Sequence, residues 1–178
     1  QPGRAREAVT ARLIRPGSAA AEDTSWRAMS PAERMSLVWE LTLQCLAWGE
    51  NGPVEPEFKD LLSIFNAHGV EYLVVGAHAL AAHGRIRATG DLDIWVRADP
   101  ANARRVMQAL AAFGAPLQDL READLAQPGI VFQIGVAPLR IDILTQIDGV
   151  QFEEAWRRRL SSAFADEPVF VISVAHLI

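Results

Sequence analysis

The chain has 178 residues, 50% of them hydrophobic and 22% charged, with a net charge of −5, a composition that suggests one soluble globular domain with extensions. Its single cysteine, Cys45, excludes an intrachain disulfide framework and a cysteine-built zinc site and fits a reducing cytoplasm. No apolar run approaches the ~20 residues that cross a bilayer, no signal-peptide core opens the chain, and the acidic balance argues against a broad basic surface for wrapping nucleic acid.

In chain order, residues 1–25 lack periodicity, carry Pro2, Gly3, Pro16 and Gly17, and read as a disordered tail or an upstream remnant. Residues 26–50 read as a helical extension. Ser30 is its N-cap, Pro31 stands at the first helical position, and Glu33 closes a capping box. Met35, Leu37, Val38, Leu41, Leu43, Cys45, Leu46 and Trp48 cover more than one stripe, so this helix must pack on the domain or on a partner protein. Gly52, Pro53 and Pro56 mark a linker, and 57–178 form the main domain.

Phe58, Leu61, Leu62 and Phe65 fit an amphipathic helix that ends before Gly69. The apolar run Leu73-Val74-Val75 reads as a strand. It stops at Gly76-Ala77, two small residues where backbone can approach a ligand such as a phosphate. His78 to His83 reads as a short helix opening at Gly76, where free N–H groups attract anions, and Gly84 ends it. A basic loop with Arg85, Arg87, Thr89 and Gly90 leads to a second strand that begins Asp91-Leu92-Asp93. Side chains at i and i+2 of a strand share a face with Cα atoms about 6.6 Å apart, so Asp91 and Asp93 can converge on one cation. Mg²⁺ or Mn²⁺ is the natural counter-charge for such a pair. Asp99-Pro100 caps a helix running to about Phe113, and Gly114 stops it. Val131 to Gly135 and Leu139 to Ile147 read as a hairpin, Phe152 to Leu160 as a short helix, and Pro168 to Ile172 as a last strand. Ser173 to Ile178 reads as the start of a further helix.

Gly76-Ala77 followed by Asp91-Leu92-Asp93 resembles the signature of the polymerase-β-like nucleotidyltransferases, and within them the minimal bacterial kind that includes the AbiEii/MenT-like toxins. The resemblance covers roughly residues 58 to 156. It implies an α/β (α+β) fold with a small mixed sheet and helices packed on one side, and it leads to the expectation of a domain truncated at its C-terminus, where the further helix has only begun. It also implies a third carboxylate on a neighbouring strand, for which Asp142 in Arg140-Ile141-Asp142-Ile143-Leu144 is the match. Ala77 stands where many members have Ser or Gly, so a hydroxyl contact from that position is lost while backbone contact remains.

The implied chemistry is metal-dependent transfer of a nucleoside monophosphate from a nucleoside triphosphate such as ATP to a hydroxyl, with Asp91, Asp93 and Asp142 as catalytic and metal-holding residues. Gly76, Ala77, Arg85, Arg87 and Thr89 fall to the nucleotide, and Arg140 faces the same side. The acceptor is a tRNA end, a protein hydroxyl or a small molecule such as an aminoglycoside, and the toxin-type members suggest a toxin–antitoxin setting. The bland readings stand beside these. Asp142 between Ile141 and Ile143 can be paired with Arg140 rather than with a metal, and the whole fold can be a noncatalytic nucleotide- or partner-binding module. His78 and His83, five apart, read as packing or surface residues, Arg157-Arg158-Arg159 as a solvated helix end, and the tryptophans as core, with Trp95 the one placed to line a nucleotide.

Overall fold

The computed structural model describes residues 28–47, 57–85, 89–136 and 139–176. These form an α+β fold around one mixed six-stranded sheet. The helices are α1 (Pro31–Ala47), α2 (Glu57–Ala67), α3 (Gly76–Ala82), α4 (Pro100–Phe113), α5 (Glu122–Leu125) and α6 (Phe152–Arg157). The strands are β1 (Tyr72–Val74), β2 (Asp91–Val96), β3 (Val131–Val136), β4 (Leu139–Leu144), β5 (Leu160–Phe164) and β6 (Glu167–Val171), in the order β3-β4-β2-β1-β6-β5. β1 is antiparallel to β2 and parallel to β6, β2 is parallel to β4, and β3–β4 and β5–β6 are antiparallel hairpins. Two central parallel pairings explain why β1 and the middle of β2 read as near-continuous apolar runs: every residue of β1 is buried.

The boundaries follow local chemistry. Ser30 and Glu33 exchange capping bonds, Ser30 N–H to Glu33 Oε2 at 2.6 Å and Glu33 N–H to Ser30 Oγ at 3.3 Å. Asp99 accepts from the N–H groups of Ala101 and Asn102 at 2.9 and 3.0 Å, with Pro100 next in line, and Gly114 closes α4 in the left-handed conformation. Phe58, Leu61, Leu62 and Phe65 of α2 and Val106 and Leu110 of α4 join Leu92, Ile94, Ile141 and Ile143 of the sheet in one core. α1 lies against α3 and β5 with Met35 and Val38 fully buried.

Three elements differ from the sequence reading, the first being the strand expected over Leu139 to Ile147, which ends at Leu144. The helix expected over 152–160 ends at Arg157, and Leu160–Phe164 is a strand that pairs with β6 through the two-residue turn Ala165-Asp166. The expected terminal helix is, over its described part, a single 3-10 turn at Val174–His176. Among the described residues, no helix is long and apolar enough to cross a membrane.

Candidate functional site

β2 and β4 run parallel with Asp91 beside Arg140 and Asp93 beside Asp142. Alternation along both strands puts Leu92, Ile94, Ile141 and Ile143 into the core, so the four charged side chains share the other face. The separation of 49 positions between Asp93 and Asp142 is closed by one crossover through α4, α5 and β3. Gly90 O accepts the Arg140 N–H at 2.9 Å and extends this pairing past the end of β2.

Gly76 lies beneath the pair. It holds φ +63, and a Cβ built on it would overlap the Asp93 carboxylate, so only glycine leaves that carboxylate its place. The neighbouring backbone is tied to the same residue, since Val75 N–H donates to Asp93 O at 3.0 Å. α3 spans seven residues and starts from the uncapped Val75, so what this corner offers is close backbone approach beside Asp93 rather than a helix dipole.

Arg140 places a positive charge between two of these carboxylates. Its Nε donates to Asp142 Oδ1 at 2.8 Å and its Nη2 to Asp91 Oδ2 at 3.3 Å. The Asp142 side chain is 10% exposed, and an unpaired carboxylate there would cost several kcal/mol, so the guanidinium answers the need that the flanking isoleucines create. The bond to Asp142 and its charge, then that of Asp91, hold the Arg140 guanidinium above its ordinary range. The chemistry of the donor set, three carboxylates on one sheet face, fits a hard divalent ion. Their arrangement is occupied by a cation of the chain's own: among the described residues, no three His, Cys, Asp or Glu side chains gather closely enough to hold a metal together.

Of the other expected nucleotide contacts, the Thr89 hydroxyl accepts from Asp91 N–H at 3.2 Å and so fixes the start of β2. Arg85 is exposed at the end of α3, and Arg87 lies outside the described residues. Ala77 is buried. Trp95, two residues beyond Asp93, is 2% exposed beneath the edge of Phe152 at 5.1 Å, so it is no stacking platform for a base. His78 is buried against Phe58 and Phe164, and the His83 ring contacts Ile172 O at 2.7 Å. One side chain escaped the sequence reading. Gln133 of β3 stands opposite Asp142 and is exposed, next in line on the carboxylate face. The hairpin register β3–β4 was the signal that could have found it.

A cleft of about 650 Å³ between α2, the end of α4 and β3 lies elsewhere: Ile134, which lines it, points to the face opposite Gln133. Its lining offers Asp60 and Ser63 as polar side chains and no cation, which suits a phosphorylated ligand poorly.

No family model and no curated protein matches the chain. Among solved structures, the chain is similar to a candidate nucleotidyltransferase from Thermotoga maritima, with 13% identity over 72% of this chain and 85% of that one and a TM-score of 0.49.

Proposed function

We propose that the protein is a nucleotidyltransferase that moves a nucleoside monophosphate from a nucleoside triphosphate to a hydroxyl acceptor. The observation that carries this reading is the β2–β4 register, which stands Asp93 beside Asp142 with Asp91 on the same face, over a glycine that no other residue could replace. Asp91, Asp93 and Asp142 would hold Mg²⁺ or Mn²⁺ once the Arg140 guanidinium leaves the gap between Asp91 and Asp142 and the three side chains draw together. A divalent ion bound there supplies charge neutralisation of the triphosphate and a lowered pKa for the attacking hydroxyl.

The chain's own part is positioning and proton handling. The acceptor oxygen attacks the α-phosphorus, the bond from that phosphorus to the β-phosphate oxygen breaks, and pyrophosphate leaves with the bonding pair. The hydroxyl proton passes to a carboxylate oxygen of Asp142. Arg140 and Arg85 answer phosphate charge, and Gly76 lets the triphosphate approach backbone. A net charge of −5 and the absence from the sequence of a long basic track favour a compact acceptor, a tRNA end or a protein hydroxyl, ahead of duplex DNA. A role as a toxin-type member with a partner protein on α1 belongs to the same reading.

Incubation with Mg²⁺, each labelled nucleoside triphosphate, total RNA and cell lysate tests it. Label should enter RNA or protein, and Asp93→Asn and Asp142→Asn should each reduce uptake by a factor of about 100 or more, the loss of roughly 3 kcal/mol of transition-state stabilisation. Uptake that survives both substitutions would refute the assignment. A second reading, a noncatalytic nucleotide-binding module, is favoured by the guanidinium seated between Asp91 and Asp142. Metal-dependent nucleotide binding without transfer to any acceptor would select it.

A further inference from the structure

Arg140 spans two strands with one planar fork, and its two bonds are unequal in setting. The Asp142 carboxylate is nearly enclosed, whereas the Asp91 side chain is 43% exposed and that of Arg140 36%. The Arg140 backbone is fixed by its N–H bond to Gly90 O, so any rearrangement is confined to the side chain. A divalent ion and a guanidinium cannot share the gap between the same carboxylates, because like charges at that separation repel. A metal arriving alone must therefore send Arg140 into water, with the loss of both bonds. A metal arriving with a triphosphate finds Arg140 a new anion that matches its fork.

Resting on the functional reading above, we propose that Arg140 is an exchangeable counter-ion: it holds Asp91 and Asp142 together while no divalent ion is bound, and turns to the triphosphate when one is. Arg140 is then a positioning residue that couples metal binding to nucleotide binding. The coupling has a physical source, since the arginine loses partners when the ion binds by itself and exchanges them when both ligands bind. The site stays closed to free Mg²⁺ and opens to the metal–nucleotide complex.

Mn²⁺ binding, followed by electron paramagnetic resonance and by calorimetry, tests this in wild type, Arg140→Gln and Arg140→Lys, each with and without a non-hydrolysable nucleoside triphosphate. Wild type should bind Mn²⁺ about tenfold more tightly when the analogue is present. Arg140→Gln should bind Mn²⁺ alone about tenfold more tightly than wild type and lose the coupling. Arg140→Lys should fall between them, because an ammonium keeps the charge without the two-pronged fork. Metal-free melting should be lower in Arg140→Gln and recover on adding Mn²⁺, as expected when Asp91 and Asp142 lose the guanidinium between them. Should Arg140→Gln fail to fold, the Lys variant decides alone. Mn²⁺ affinity in the folded variants equal to or weaker than wild type would overturn the role of Arg140 while leaving the nucleotidyltransferase reading standing. No Mn²⁺ binding in any of the proteins, with or without nucleotide, would overturn both.

Discussion

His78 sits where a charge cannot follow. Its ring is fully buried, edge-on to Phe58 at 6.3 Å and to Phe164 at 5.3 Å, and among the described residues neither ring nitrogen finds a hydrogen-bond partner. Burial lowers its pKa from 6.5 to about 4. Between those values the unfolded chain takes up a proton that the folded one refuses, so stability rises with pH across this window and is lost as pH falls from about 6.5 to about 4. The size of the effect is on the order of 3 kcal/mol. Urea unfolding of wild type and His78→Leu at pH 7 and at pH 4.5 should show a steeper acid loss in wild type, because leucine has no proton to take up; parallel losses would refute the assignment. That His78 packs rather than ligates was legible from its place in an alanine-rich helix, five residues from His83. Its aromatic neighbours were not, since Phe58 lies 20 positions before it and Phe164 lies 86 after it in the chain.

Among the elements, those announced by a cap were legible to within a residue: Ser30 and Glu33 for α1, Asp99-Pro100 and Gly114 for α4. The β5–β6 hairpin was not, and its turn explains why. Ala165 and Asp166 both hold positive φ, 47° and 70°, as a two-residue hairpin turn of this hand demands, yet neither is the glycine or asparagine that signals one. Leu160-Ser161-Ser162-Ala163 adds a strand with little β-branched or aromatic content, so residues 158–160 were absorbed into the preceding helix. The fold retains a turn with unfavourable residues because the strands it joins are held elsewhere: Phe164 and Val169 are buried in the core, and Ser162 Oγ donates to Met35 Sδ at 3.4 Å. Replacing Ala165-Asp166 by Asn-Gly should therefore stabilise the protein, by about 1 kcal/mol, through relief of the left-handed strain. Thermal and urea unfolding check this, and a variant no more stable than wild type would mean that the turn carries no strain. The carboxylate face shows the same limit. The Asp-x-Asp strand could be read from its spacing, while Asp142 was found only through the family resemblance that calls for a third carboxylate. The register of β4 on β2, which decides that Arg140 lies beside Asp91, is a tertiary result that no local pattern encodes.

For the molecule as a whole, the question is what α1 does. Its apolar width says that it must pack, and its position ahead of a Pro/Gly stretch leaves the place open. The answer lies 48 positions along: the Arg34 guanidinium donates to Ala82 O from Nε at 3.1 Å and from Nη2 at 2.6 Å, and its Nη1 donates to Met29 O at 2.7 Å. Ala82 ends α3, the helix that begins at Gly76 under Asp93, so α1 closes the far end of the element whose near end makes room for the carboxylates. Met35 and Val38, both fully buried, add the apolar part of the same contact. Burial of two such side chains is worth about 3–5 kcal/mol together, enough to matter against a total stability of roughly 5–15 kcal/mol. Met35→Ala should accordingly cost about 2–5 kcal/mol by urea unfolding. Removal of residues 1–50 should lower the melting temperature further, raise binding of a dye that reports exposed apolar surface, and loosen α3 enough to weaken metal-dependent nucleotide binding. Equal melting and equal dye binding in the truncated protein would show that α1 is a passenger on the sheet rather than part of the scaffold that seats Gly76.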